Sequence, residues 1–112
     1  MNEWPESCFK AYDIRGLSGE ELSDEFAYRL GRAIATYLEC ESFAVGRDIR
    51  KSSPGYASNL IQGLVDSGVR VLDLGIVSTG CLYHACWTLP VDGGVMVTAS
   101  HLPMPTHNGF KM

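Results

Sequence analysis

The sequence predicts an α/β fold, a three-layer α/β/α sandwich around a mostly parallel, mixed sheet. From Phe43 onward, short apolar runs of strand length alternate with segments of helical periodicity. Serines suited to capping open the helical segments, and glycines close strands and helices. Strand, helix, strand, helix, strand in that order makes two right-handed crossovers. Such crossovers give a parallel sheet covered on both faces.

The first strand is expected at Phe9-Lys10-Ala11-Tyr12-Asp13-Ile14, where apolar and polar positions alternate. Arg15-Gly16-Leu17-Ser18-Gly19 reads as the turn after it. A helix is expected over residues 23–38, with Ser23 as N-cap and Asp24 and Glu25 at the positive end of its dipole. Leu22, Phe26, Leu30, Ile34 and Leu38 recur at helical spacing and form one apolar face. Phe43-Ala44-Val45-Gly46 is a short apolar run typical of a buried parallel strand. Ser53-Pro54 reads as N-cap and N1 of a second helix. Its apolar positions are Leu60, Ile61, Leu64 and Val65, and Gly68 is placed to end it. Residues 69–74 form the next expected strand, closed by Gly75. Ser78 or Thr79 caps a third helix that carries Leu82, Tyr83, Cys86 and Trp87. Gly94-Val95-Met96-Val97-Thr98 is the last clear strand. The pattern holds no internal repeat and no linker, so one domain is expected over the 112 residues.

Composition narrows the function. Hydrophobic residues make up 46% of the chain, which is globular composition. The net charge of -4, with no basic block, argues against a nucleic-acid partner held through its phosphates. No apolar run approaches the roughly 20 residues that span a bilayer, so no membrane partner is expected. Cys8, Cys40, Cys81 and Cys86 form no C-x-x-C pair, which argues against a zinc knuckle. Cys40, Cys81 and Cys86 read as small buried hydrophobes, and a reducing cytoplasm is the simplest compartment.

In a parallel sheet the loops after the strands share one edge, where ligands of open α/β sheets bind. Here those loops are Arg47-Asp48-Ile49-Arg50-Lys51-Ser52, Ile76-Val77-Ser78-Thr79, and Ala99-Ser100-His101-Leu102-Pro103 running on to Asn108-Gly109-Phe110-Lys111. Cations, hydroxyls and a Ser-His pair on one rim suit a phosphate. Taken singly, each has a plainer reading. Arg47, Asp48 and Arg50 suit a solvated loop with local ion pairs. His101 suits surface packing, and Ser100 an ordinary loop. Ser100 lacks the G-x-S-x-G elbow of an α/β-hydrolase nucleophile. The conjunction carries the functional reading.

Four stretches together resemble the α-D-phosphohexomutase (phosphomannomutase/phosphoglucomutase) family, in its N-terminal domain I. They are Phe9-Lys10-Ala11-Tyr12-Asp13-Ile14-Arg15-Gly16, Val45-Gly46-Arg47-Asp48-Ile49-Arg50, Gly94-Val95-Met96-Val97-Thr98-Ala99-Ser100-His101 and Asn108-Gly109-Phe110-Lys111. The resemblance covers nearly the whole chain. It implies that Ser100 carries a phosphoryl group and passes it to a hexose phosphate. A bisphosphosugar forms, turns over in the cleft and returns its other phosphate. The net reaction is reversible transfer between the 1 and 6 positions of mannose or glucose phosphate. Arg15 and Lys111 are implied to handle protons and charge beside the phosphoserine, with His101 donating a hydrogen bond or shuttling a proton. Arg47, Arg50 and Asn108 are implied to bind phosphate or substrate. Mg²⁺ is implied as cofactor, held in this chain only through the phosphate of Ser100, with hexose 1,6-bisphosphate as activator. Two positions depart from the family pattern: Leu102 stands for the usual Asn and His107 for the usual Tyr.

The same resemblance implies further domains for the metal aspartates, the sugar-reading loop and the second phosphate site, which are absent from this chain. No D-x-D-x-D run occurs in it. The chain alone is therefore expected to be inactive and to self-associate through an uncovered apolar face. The alternatives are a non-catalytic phosphate- or phosphosugar-binding module and a purely structural assembly domain.

Overall fold

The computed structural model describes residues 13–17, 22–98 and 107–111. Within them the order is β1 (Asp13–Leu17), α1 (Asp24–Leu38), β2 (Ser42–Arg47), α2 (Ser53–Asp66), β3 (Arg70–Ile76), α3 (Thr79–Thr88), β4 (Gly94–Val97) and β5 (His107–Lys111). The five strands form one sheet in the order β1-β5-β4-β2-β3. β2 pairs in parallel with β3 and β4, whereas β5 pairs antiparallel with β4 and β1. The mixed three-layer sandwich is therefore the observed fold.

The two crossovers place the layers. β2 steps to β3 through α2, and β3 steps back past β2 to β4 through α3. Reversing direction with right-handed connections puts the two helices on opposite faces. Phe43, Val45, Val95, Val97 and Phe110 pack with Leu22, Phe26, Leu30, Ile34, Leu60 and Leu64 in the larger core. Ala44 and Met96 alternate to the other face and meet Leu82, with Cys86 partly buried beside them. Phe26 of α1 lies against Phe110 of β5, ring centroids 5.9 Å apart.

Local signals explain the helix starts. The Ser23 hydroxyl accepts from the Phe26 amide at 3.1 Å, and the Ser78 hydroxyl accepts from the Cys81 amide at 3.1 Å. At α2 the N-cap is Ser52, one residue before the expected Ser53, because the Ser53 hydroxyl donates to Asp48 at 2.6 Å instead. Pro54 still sits in the first turn, where its missing N–H costs nothing. Gly68 closes α2 at φ 87°. Gly75, at φ 69°, lies inside β3 and does not end it. There the register slips, with Val45 opposite Asp73 and Gly46 opposite Gly75.

Other expectations are corrected. Residues 15–17 are strand, not turn, because β5 pairs with them along their length. Residues 9–12 of the expected first strand lie outside the described residues. Residues 107–111 are a strand, not a loop running on from β4. Leu38 is 59% exposed, one turn beyond the buried Ile34 at the last residue of α1. Tyr83 and Trp87 are exposed because only the Leu82, Ala85 and Cys86 stripe of α3 meets the sheet. Val65 is likewise half exposed beside the buried Leu64. Cys81 is exposed, and Cys40 and Cys86 are only partly buried. Among the described residues, no helix is long and apolar enough to cross a membrane.

Candidate functional site

The carboxyl ends of β2 and β4 lie side by side, Arg47 opposite Val97. The strand order β4-β2-β3 reverses here, and open α/β sheets bind ligands outside such ends. Arg47 is half-buried at the last position of β2, and its carbonyl accepts from the Val77 amide at 3.1 Å. The next residue, Asp48, organises the rim. One carboxylate oxygen, Oδ1, accepts from the Ser53 hydroxyl at 2.6 Å and the Arg50 amide at 3.1 Å. The other, Oδ2, accepts from the Thr98 hydroxyl at 2.6 Å and from Arg50 Nε at 2.8 Å. Backbone bonds seal the same joint: the Asp48 amide donates to the Val97 carbonyl at 3.2 Å, and the Thr98 amide to the Gly109 carbonyl at 2.9 Å.

Burial pushes the Asp48 carboxyl up, but the bonds from Ser53, Thr98 and the Arg50 amide and guanidinium together outweigh it. The group is held below its ordinary value of 3.8. A depressed carboxyl contributes stability above its unfolded value, and that contribution disappears as pH falls through the folded value. We expect Asp48→Asn to flatten acid unfolding below about pH 4 in urea titrations, because the linked proton is gone. At neutral pH the same variant should lose about 3 kcal/mol, since it leaves the Arg50 guanidinium without its carboxylate. Asp66→Asn, at an exposed carboxylate bonded to Tyr28 and Gln62, should lose far less.

Arg50 and Asn108, both expected at a phosphate, are turned into the fold. The Arg50 side chain is 1% exposed and paired with Asp48. Asn108 is fully buried, and its Nδ2 donates to the Ser52 hydroxyl at 2.7 Å and to Ser53 Oγ at 3.1 Å. Its Oδ1 accepts from the Gly109 amide at 2.9 Å. Both side chains are closed off from solvent, Arg50 within the β2–α2 loop and Asn108 between β5 and the start of α2. The physical reason is saturation, because buried polar groups at this joint already have protein partners.

The register places the remaining candidates. Arg15 of β1 sits opposite Gly109, and Lys111 of β5 sits opposite Asp13 and Met96. Since the Thr98 amide bonds Gly109, the positions of Arg15, Gly109 and Thr98 form one row across three strands. Lys111 lies two positions further from the rim. Ser100, His101 and Leu102 fall outside the described residues, two to four positions after Thr98. Sequence reasoning missed Asp48 as the organising residue. An Asp two positions before the amide that it caps is the signal of an Asx turn, and it was legible at Asp48-Ile49-Arg50.

The described residues do not fit a Mg²⁺ site by themselves. Among them, no group of three or more His, Cys, Asp or Glu side chains could hold a metal. Asp48 stands alone, with its oxygens already hydrogen-bonded.

The family model described as phosphoglucomutase/phosphomannomutase, alpha/beta/alpha domain I, matches residues 6–112. A phosphomannomutase of Klebsiella pneumoniae is 49% identical over 106 residues, covering 95% of this chain and 67% of that protein. A phosphomannomutase/phosphoglucomutase of Pseudomonas aeruginosa is 50% identical over 111 residues, covering 96% of this chain and 24% of that protein. A crystal structure of a phosphoglucomutase/phosphomannomutase family protein from Burkholderia thailandensis superposes with a TM-score of 0.84. It shares 38% identity, over 95% of this chain and 25% of that one. The chain thus spans about a quarter of the length of most of these relatives. This chain belongs to the phosphoglucomutase/phosphomannomutase family, as its α/β/α domain I.

Proposed function

We propose that this domain supplies the phosphoserine of a phosphohexose mutase, with Ser100 carrying the phosphoryl group between the 1 and 6 positions of a mannose or glucose phosphate. The observation that carries the reading is the joint at β4. Thr98 is fixed to Asp48 at the rim next to Arg47, in the row that includes Arg15. Ser100 follows this joint by two residues in the sequence, and the sheet edge at the joint is the kind that suits a ligand.

In this reading the protein's task is placement and positive charge around the moving oxygens. Arg15 supplies fixed, paired donors and Lys111 a point charge whose proton affinity burial can tune. Arg47 is the rim's phosphate contact, and His101 supplies or takes a proton beside the serine. Arg50 and Asn108 serve by holding the loop rather than by touching the sugar. In this chain only the Ser100 phosphate would hold Mg²⁺, which would offset charge on the transferring group, and a hexose 1,6-bisphosphate would recharge the serine. The cytoplasm is the compartment that suits these substrates and the free Cys40, Cys81 and Cys86 thiols.

Phosphopeptide mapping of the purified full-length protein tests this directly. Incubation with glucose 1,6-bisphosphate or mannose 1,6-bisphosphate should place one phosphate on Ser100, and a coupled assay should show turnover of the matching 1-phosphate. A protein that never takes phosphate at Ser100 is a binding module instead. The 112-residue domain alone should show no turnover, because the remaining charge and sugar contacts lie outside it. It should also associate with itself at high concentration, through the outer stripe of α3 bearing Tyr83 and the 90% exposed Trp87. Sedimentation velocity over a concentration series checks that expectation.

A further inference from the structure

We propose that the open edge of β3, with the cavity beside it, binds an extended peptide of another protein that carries an apolar residue and, two positions later, an acidic one. The inference stands apart from the mutase reading, since β3 closes the sheet at the opposite end from β1.

The edge comes first. In a parallel ladder alternate residues bond the neighbouring strand, and here the Arg70 amide donates to the Glu41 carbonyl at 2.8 Å. Arg70 and Leu72 therefore direct their main-chain groups to β2. The amide and carbonyl of Val71 point the other way, where no further strand of the sheet lies. A residue of an added antiparallel strand can exchange both bonds with them. The register slips before Gly75, whose amide donates to Asp73 Oδ1 at 2.9 Å, so regular pairing ends there. The edge suits a short strand centred on Val71.

The side chains flanking Val71 choose the partner. Leu72 lies opposite Ala44 and shares the face on which α3 packs; Arg70, two positions back, belongs to the same face. α3 packs over β2 and β4 and ends at Thr88, which leaves Leu72 41% exposed. Beside it is a cavity of about 330 Å³, walled by Leu72, Leu89, Pro90 and Val91, with Arg70 also in its lining. That volume holds one branched or aromatic side chain with ease. The Ser42 hydroxyl fixes the wall by donating to the Pro90 carbonyl at 3.0 Å. Arg70 is exposed, and among the described residues its guanidinium forms no ion pair. Asp92 is close enough to feel that charge, but its Oδ2 already accepts from the Glu41 and Ser42 amides.

An antiparallel partner passes Leu72 first and Arg70 second. It therefore presents an apolar side chain to the cavity and, two residues later, a carboxylate to Arg70. A second copy of β3 fits worse. A two-fold axis keeps each side chain on its own face, so Arg70 would meet Arg70, Leu72 or Leu74 of the copy and never its Asp73.

Fluorescence polarisation with full-length protein and the peptide fluorescein-Thr-Phe-Thr-Glu-Thr-amide tests this. Saturable binding is expected with a Kd of about 100 µM, the level of one anchor and one charge pair. Replacing the peptide's Glu by Lys, or Arg70→Glu in the protein, should each weaken binding at least about tenfold, and the two together should restore it to within about threefold. N-methylating the central Thr removes the N–H that faces the Val71 carbonyl and should weaken binding about tenfold. No saturable binding below about 1 mM overturns the proposal. So does binding indifferent to N-methylation, which would make the site a charge patch, or a loss in Arg70→Glu that the Lys peptide does not repair. If a thermal melt shows Arg70→Glu unfolded, the two peptide changes on wild-type protein decide. A dimer in sedimentation velocity that excludes the peptide gives the edge to a second copy and also overturns it.

Discussion

Ser100→Ala in the full-length protein is expected to abolish mutase turnover, by at least about a thousandfold in kcat. The reasoning is chemical. A double transfer through an enzyme-bound phosphate needs an oxygen that accepts the group, holds it and gives it back. Alanine deletes that oxygen and nothing else, so the loss should appear in kcat and not as weakened substrate binding. Arginine and lysine at positions 15 and 111 stabilise charge but accept no phosphoryl group stable enough to replace it. Deleting either should therefore cost less than deleting the serine, about a hundredfold to a thousandfold. The stability of Ser100→Ala should stay within about 0.5 kcal/mol of wild type. A coupled assay beside a thermal melt reads both quantities. Turnover at the wild-type rate, with contaminating enzyme excluded by mass spectrometry, refutes the assignment of the phosphate to Ser100.

The helices and central strands of this fold are legible in the sequence because their signals are local. Ser23 and Ser78 cap where they are expected to, since each bonds an amide three residues away. β5 is not legible. His107-Asn108-Gly109-Phe110-Lys111 has one apolar side chain and a glycine, and its strand character comes from pairing with β1 and β4 on either side. The same pairing turns the expected 15–17 turn into strand. At the site, motif spacing brings out Arg47 and the rim but not the role of Asp48. The Thr98 hydroxyl that defines that role is 50 residues away along the chain. Arg50 and Asn108 show the converse case. Their residue types suit phosphate, and only packing reveals their protein partners, the Asp48 carboxylate for Arg50 and the Ser52 and Ser53 hydroxyls for Asn108.

Gly63→Ala is expected to unfold more of the protein than any other single methyl group added to α2. Helices α1 and α2 touch backbone to backbone. A Cβ on Gly63 would land on the Tyr28 carbonyl oxygen and 3.1 Å from the Arg32 amide nitrogen. A Cβ on Gly31 would land on the Leu60 carbonyl oxygen, 3.0 Å from the Leu64 nitrogen and 3.2 Å from the Gly63 Cα. The atoms met are main chain, so no rotamer change relieves the clash; the helices must separate. Separation draws Phe26, Leu30 and Ile34 away from Leu60 and Leu64 across the larger core. Alanine's better helix propensity returns at most about 1 kcal/mol. Overpacking of a filled core costs about 1–3 kcal/mol and more when backbone must move. The net expectation is a loss of about 2 kcal/mol, or roughly 8 °C in Tm for a domain of this size. Gly31→Ala should behave alike, and the double variant should lose less than the sum because one separation serves both. Gly80→Ala in α3 is the control. Its Cβ would meet only the Ser78 hydroxyl oxygen at 3.8 Å, so propensity should leave that variant unchanged or slightly stabilised. Urea melts of the three single variants decide the matter. A Gly63→Ala protein as stable as Gly80→Ala would mean that α1 and α2 pack with slack that this geometry excludes.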